Sequence, residues 1–452
     1  MKRTIIFFSF CIWASLMNAQ LTLDQCRKKA QENYPLVRQY GLIEKSTEYN
    51  LSNASKGHLP QFALSGKATY QSDVTELPVK LPGVDLKGMS KDQYQLMLEV
   101  KQDIWDGGEI RAKKQQLKAS SDVEREKLNV DMYALNDRIN QLFFGILMLD
   151  EQLKQNELLH DDLERSHKQV SAYIANGIAN QSDLDAVSVE LLNTKQKRVD
   201  LESSRKAYME MLSLFLGERL SDATTLQKPS FEDSVARLSS ATTSVSGADL
   251  SISTAGNINS DSLLLRKKYA GIESNRPELN WFDAQGKSLQ VQRAALNTRL
   301  MPHLGLFVQG AYGNPGLNML KNEFTPYYVA GVRLSWNFGS LYTLRNDRRL
   351  IDNGFRQLES NRDVFLFNTT LQSAQQTNAI QSMRKQMVDD DEIIRLRSNI
   401  RKAAEAKVAN GTMTVTDMLR EITSENLARQ VKSLHEIQLL MNVWNLKYTL
   451  NK

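Results

Sequence analysis

The sequence aligns with itself, and no other feature constrains its fold as tightly. At an offset of 242, Asn33, Pro35, Pro60 and Tyr70 fall on Asn275, Pro277, Pro302 and Tyr312. Past a loop the offset becomes 234. Tyr94 then meets Tyr328 and Arg111 meets Arg345, while Ala172, Ala175, Asn176 and Gly177 meet Ala406, Ala409, Asn410 and Gly411, and Asp183 meets Asp417. The change sits in the loop, because Tyr70 to Tyr94 is 24 positions and Tyr312 to Tyr328 is 16. Ungapped matches of this kind mark two copies of one structural unit.

Each copy reads in the same order. A short helix precedes Pro35 or Pro277, and a second helix of about 22 residues runs to Pro60 or Pro302. Two alternating segments follow, then a helix of about 68 residues, a turn at Gly177 or Gly411, and a returning helix of about 37 residues. The nine prolines leave 83–228 and 327–452 free of any, as very long helices require. The expected organisation is a signal peptide at 1–19, a first repeat at 20–216, a central linker at 217–262 and a second repeat at 263–452. Strands are placed at about 61–72 and 92–104, then 303–313 and 327–338, with turns at 176–180 and 410–414. Residues 239–262, rich in Ser, Thr, Gly and Asn, read as loop.

Residues 1–19 set Lys2 and Arg3 before an apolar run from Ile5 to Met17 and end at Ala19, the pattern of a secretory leader. Neither Cys11 nor Cys26 follows the small residues that a lipid-attachment site needs, and loss of the leader leaves Cys26 with no intrachain partner. No later stretch holds 18 consecutive apolar residues, so any membrane crossing by the mature chain must use β-strands.

The four strand segments have the length and alternation for that. Phe62, Leu64, Gly66, Ala68 and Tyr70 share one parity in the first, and Tyr94, Leu96, Leu98 and Val100 in the second. Leu304, Leu306, Val308 and Tyr312 share a face in the third, as do Tyr328, Ala330, Val332, Leu334, Trp336 and Phe338 in the fourth. Tyr70, Tyr94, Tyr312 and Tyr328 fall at one end, with Trp105, Trp336 and Phe338 at the other, as in the aromatic girdles of membrane barrels. A soluble sheet with one buried face shows the same alternation. Four strands cannot close a barrel, so several chains must share one: two give eight strands and a filled interior, three give twelve and a lumen.

Within the long helix, Leu128, Met132, Leu135, Ile139, Leu142, Ile146, Leu149 and Leu153 alternate spacings of four and three, a heptad seam. It continues through Asn156, His160, Leu163, His167, Val170 and Ile174, growing more polar towards the turn. At about 1.5 Å per residue such a helix reaches roughly 100 Å, far beyond a bilayer. Gly177 and Gly411 suit the left-handed residue that ends a helix. Asn180 with Asp183, and Thr414 with Asp417, have the spacing of a cap and its third-position carboxylate.

With 57 Lys and Arg against 52 Asp and Glu, the formal charge of +5 is too balanced for a dedicated nucleic-acid binder. The five histidines form no H-E-x-x-H, and neither a nucleophile elbow nor a phosphate loop occurs, so no catalysis, cofactor or metal is expected. His160 and His167 share one helical stripe, which supplies too few ligands for a closed metal site.

The whole mature chain resembles the TolC-like outer-membrane channel family, also called outer membrane efflux proteins. The resemblance rests on L-T-L-D-Q-C-R-K-K-A-Q-E-N-Y-P at 21–35, proline before each first strand, W-D-G-G at 105–108, the duplicated glycine turns and the order of elements. It implies a mainly α protein with a small β part, in which a duplicated unit of coiled-coil hairpins plus two strands forms a trimer. A 12-stranded outer-membrane β-barrel would then stand on a periplasmic α-helical barrel. The resemblance further implies an exit duct for efflux or type I secretion, served by a periplasmic adaptor and an inner-membrane pump. Asn176, Gly177, Ile178, Asn410, Gly411 and Thr412 would dock the adaptor, and Asp183, Asp417 and Arg420 would line the entrance. The family carries an acidic pair after the second turn; Asp417 matches the first member, whereas Arg420 occupies the second place and Met413 the usual basic one. The competing reading is a soluble periplasmic coiled-coil adaptor, which also carries long helical hairpins.

Overall fold

The computed structural model describes residues 20–74, 90–177, 179–221, 223–230, 275–319 and 321–451. The expected leader at 1–19, the linker from 231 onward, the short helix before Pro277 and the tip residue Ile178 lie outside the described residues. In chain order the elements are α1 (Leu23–Asn33), α2 (Val37–Ser55), β1 (Gln61–Tyr70), β2 (Asp92–Trp105), α3 (Glu109–Ala175), α4 (Gln181–Leu216), α5 (Pro277–Ala295), β3 (His303–Asn314), β4 (Thr325–Ser335), α6 (Ser340–Ala409) and α7 (Val415–Leu450). The chain divides into one unit of Met1–Arg38, Leu128–Leu279 and Asp363–Lys452 and another of Gln39–Lys127 and Asn280–Arg362.

The internal offsets hold at the element ends. Single 3-10 turns follow α2 and α5 at Lys56–His58 and Thr298–Leu300, 242 positions apart. The offset of 234 carries Ala175, Gln181 and Leu216 onto Ala409, Val415 and Leu450, which are helix ends in both copies. Both return helices close on a left-handed residue, Gly217 at φ +69° and Asn451 at φ +51°. Glycine and asparagine are the two residue types that tolerate this conformation best.

The second unit contains one four-stranded antiparallel sheet in the order β1-β2-β3-β4. Its central pairing, β2 with β3, joins the two repeats, and β1 and β4 are its edges. Between Asp103 and Trp105 a bulge leaves Ile104 outside the register. The extra residue shifts the parity, so Trp105 stands opposite Leu304, on the side that carries Leu96, Leu98 and Val100. β4 ends at Ser335, so Trp336 and Phe338 lie beyond the strand, not on its alternating face. Asn337 ends it there: its Oδ1 accepts from the Gly339 N–H at 2.9 Å, just before α6 begins.

In the first unit, α1 starts with a reciprocal capping box between Thr22 and Gln25. It buries Leu23, Cys26 and Ala30 against Phe143, Phe144 and Ile146 of α3, Leu212 and Leu216 of α4, and Ile437 and Leu440 of α7. Burial pushes the Cys26 thiol up to about 12. The start of the expected linker is packed, since Leu226 is buried in this core and bridges Leu21 as a parallel pair. A one-residue bridge suffices because the Leu21 N–H donates to the Thr225 carbonyl and the Gln227 N–H to the Leu21 carbonyl. A second apolar core lies near the turns, where Leu163 and Val170 of α3 meet Val187 of α4, Val408 of α6 and Met418 and Ile422 of α7.

Candidate functional site

Pairing registers sort the sheet into two faces. Phe62, Val100, Val308 and Ala330 form one transverse row, and Leu64, Leu98, Gly310 and Tyr328 the next. Side chains on this apolar face are open: Phe62 is 73% exposed, Leu64 69% and Tyr328 78%. Each such side chain left in water forgoes about 1.5–3 kcal/mol of burial. No helix covers this face among the described residues, which separates the sheet from a soluble sheet packed on a core.

The opposite face is polar and internally bonded. Lys101 Nζ lies 2.7 Å from Glu99 Oε2, and Gln309 Nε2 donates to Glu99 Oε1 at 2.7 Å. Gln95 Nε2 donates to the Tyr327 hydroxyl at 2.5 Å, and the Arg333 guanidinium stands over the Phe307 ring at 5.0 Å. Tyr70, Tyr94, Tyr312 and Tyr328 stand towards the end of the sheet where β1 meets β2 at Tyr70 and Asp92. Phe324 stacks between Tyr94 and Tyr312 at that end. Trp105 stands at the other end, where Trp336 Nε1 donates to the Leu300 carbonyl and the Trp336 ring packs on Phe338 at 4.8 Å.

The turns share one construction. Asn176 Nδ2 donates to the Ala172 carbonyl and Asn410 Nδ2 to the Ala406 carbonyl, at 3.0 and 2.9 Å. Gly177 at φ +71° and Gly411 at φ +67° follow, each donating its N–H to the carbonyl three residues back. Both glycines face open space. At α4 the Asn180 and Asp183 side chains cap each other's backbone N–H groups. At α7 Thr414 Oγ1 accepts from the Asp417 N–H at 3.1 Å and donates to Asp417 Oδ2 at 2.7 Å. Arg420 Nη1 comes to 3.7 Å from Asp417 Oδ1, so the basic and acidic residues after the second turn face each other. No hydrogen bond or ion pair joins Asp183 to Asp417 among the described residues.

Behind the apolar core at the turns lies a charged layer that the heptad pattern did not announce. Arg401 Nη1 on α6 donates to Asp162 Oδ2 on α3 at 2.9 Å and to Glu425 Oε2 on α7 at 3.4 Å. Asn426 Nδ2 reaches the same Asp162 oxygen at 3.3 Å, and Arg429 Nη2 reaches Glu425 Oε1 at 2.6 Å. Asp162 is 9% exposed and Glu425 2%. Burial opposes the charge on Asp162, but the Arg401, Asn426 and Arg165 side chains outweigh it and hold the carboxyl below its ordinary range. Next to this layer a half-open 240 Å³ cavity is lined by Asn156, Thr194 and Asn426 together with Leu159, Leu201 and Leu427.

Residues 26–218 match the outer membrane efflux protein family. No curated protein matches the chain. Among solved structures, the CusC channel superposes with a TM-score of 0.65 at 14% identity, covering 96% of this chain and 92% of that one. VceC, an outer membrane protein of Vibrio cholerae, gives 0.63 at 11% identity, covering 95% of each chain. The open-state MtrE channel of Neisseria gonorrhoeae gives 0.61 at 12% identity, covering 95% and 88%. Identities this low establish the fold alone.

Proposed function

We propose that this chain, an outer-membrane protein whose residues 26–218 belong to the outer membrane efflux protein family, is the exit duct of a tripartite efflux or secretion system. The observation that carries this reading is the two-faced sheet. An exposed apolar face ringed by aromatics at both ends suits lipid, and a hydrogen-bonded polar face suits a water-filled bore.

Both edge strands, β1 and β4, keep one side unpaired among the described residues, which lipid does not tolerate. Three copies pairing β4 to β1 of the next would give twelve strands and a lumen. Tyr70, Tyr94, Tyr312 and Tyr328 would then form one interfacial girdle, and Trp105, Trp336 and Phe338 the other. Asn176, Gly177, Asn410, Gly411 and Thr412 stand at turns whose backbone is settled internally, which leaves their outer surface for an adaptor. Asp183, Asp417 and Arg420 lie at the helix starts beyond those turns, where they would line the entrance. Each repeat carries its own strand pair and hairpin, consistent with a duplicated unit split at the central linker.

The test is membrane fractionation of the mature protein combined with conductance of the purified oligomer in planar bilayers. Outer-membrane pelleting and discrete channel steps are expected. A soluble periplasmic protein with no conductance would defeat the duct and favour a coiled-coil adaptor.

A further inference from the structure

The starts of the two long helices carry basic side chains on one face of each. On α6, Arg345, Arg349 and Arg356 lie within about 40° of one another at 100° per residue. All three are exposed, and among the described residues none has an acidic partner. Asp352, a carboxylate on the stripe's own side, is taken by Arg293 of α5 at 3.2 Å, while Asp347 with Arg299 at 3.6 Å and Arg362 with Asp283 at 3.1 Å lie on the opposite side of α6. Gly354 and Leu358 pack there against Leu289 and Gly286 of α5.

The first repeat has the same arrangement. On α3, Arg111, Lys114 and Lys118 lie within about 60° of one another, and none has an acidic partner among the described residues. Lys113 and Leu117 of α3, like Asp347 and Ile351 of α6, instead line a 960 Å³ cavity inside this unit. The basic side chains of both stripes therefore lie off the cavity-lining faces, with Lys114 half-buried and Arg111, Lys118, Arg345 and Arg349 exposed. Arg111 and Arg345 occupy equivalent repeat positions.

We infer that these two stripes form a docking surface for the phosphates of anionic phospholipid, on the periplasmic side of the sheet. The inference rests on the reading of the sheet as membrane-embedded. Depth supports it: α3 and α6 begin within a few residues of Trp105 and Trp336, the aromatic end of the sheet. Arg111, Lys114, Lys118, Arg345 and Arg349 stand within about 14 Å of their helix starts at 1.5 Å per residue. That distance suits long basic side chains reaching back to a headgroup layer. The neighbours of the stripe on α6 also favour lipid over an aqueous bore, since Tyr342 is 89% exposed and Leu341 52%. An open tyrosine beside unpaired arginines is the composition of a membrane interface. Arg356, about 24 Å along the helix, is too deep to take part.

The test is quenching of tryptophan fluorescence in the full-length protein reconstituted into vesicles of brominated phosphatidylglycerol or brominated phosphatidylcholine. The wild type should prefer phosphatidylglycerol. Arg345→Gln, Arg349→Gln and Arg111→Gln should each lower that preference by about fivefold, the effect of one basic residue at a membrane surface. Arg356→Gln should leave it unchanged. Equal quenching by both lipids would overturn the inference while leaving the membrane reading intact. An effect of Arg356→Gln equal to that of Arg345→Gln would also overturn it, by assigning the stripe to net charge or to an anionic solute. Absence of quenching by either lipid would remove the membrane reading and the inference together.

Discussion

Arg401 of α6 reaches across from one hairpin to Asp162 on the other, with Nη1 at 2.9 Å from Oδ2. The same guanidinium also touches Glu425, whose side chain is 2% exposed, so Arg401 bridges carboxylates on two other helices, with Arg165 also on Asp162 and Arg429 on Glu425. Arg165 stays on Asp162 and Arg429 on Glu425, so removing Arg401 costs less than the about 3–5 kcal/mol of a buried pair left with one partner. Arg401→Met should therefore loosen the turn-proximal part of α3, α6 and α7. Hydrogen exchange should rise there while the amides around Phe143 and Ile437 stay protected.

The same layer sets a pH dependence. The Asp162 carboxyl is held below its ordinary range in the folded chain, so it contributes stability that is present above the unfolded carboxylate value of about 3.9. That contribution is lost as pH falls through the lower, folded value. Exchange protection near the turns should fall on acidification below about pH 3.9 in the native protein, and Asp162→Asn should remove this component. An unchanged acid profile in Asp162→Asn would place the acid sensitivity elsewhere.

Gly177→Pro and Gly411→Pro should spare oligomers and outer-membrane insertion but abolish co-purification of the periplasmic partner. Proline fixes φ near −65°, whereas these residues sit at +71° and +67°, so the turn must change shape while the sheet, far away in sequence, is untouched. Heat-resistant oligomers on gels and affinity capture measure the two outcomes. Loss of oligomers would contradict the assignment of these turns to docking.

Asp417→Ala should alter ion selectivity or conductance in planar bilayers, because it removes a carboxylate and frees Arg420 from its contact at 3.7 Å. Thr414→Ala is the matching control, costing about 1 kcal/mol of helix capping without changing charge. If both variants conduct like the wild type, Asp417 serves the helix start alone.

Cys26 should resist maleimide at pH 8 in the folded protein and react fully in urea. The thiol is 0% exposed and held up to about 12 by burial. Labelling of the native protein would show that α1 opens from the core formed with Phe143 and Leu212.

Much of this architecture was legible because duplication and periodicity are properties of the chain itself. The repeat offsets mark equivalent ends such as Ala175 and Ala409, and alternation separates Leu64, Leu98 and Val308 from Glu99 and Gln309. What escaped depends on neighbours. The heptad seam named Leu142 and Ile146, yet Phe143, Phe144 and Leu147 are also buried, because α1, α4 and α7 cover a wider arc of α3 than one partner helix would. Asp162 and Glu425 carry no signal in the heptad pattern, because their burial depends on Arg401 reaching α3 and α7 from α6. The bulge at Ile104 leaves no mark in the alternation, so the side taken by Trp105 follows only from its pairing with Leu304. Of the tip residues, Asn176, Gly177, Asn410, Gly411 and Thr412 occupy the turns where the spacing put them, and Asp183 and Asp417 are engaged in capping.

The sheet's outermost strands, β1 and β4, each retain a row of backbone donors and acceptors with no strand partner among the described residues. In the proposed oligomer, folding of this region would become a matter of mass action, with each copy acting as the missing ligand of the next. Its midpoint of denaturation in detergent should climb with protein concentration.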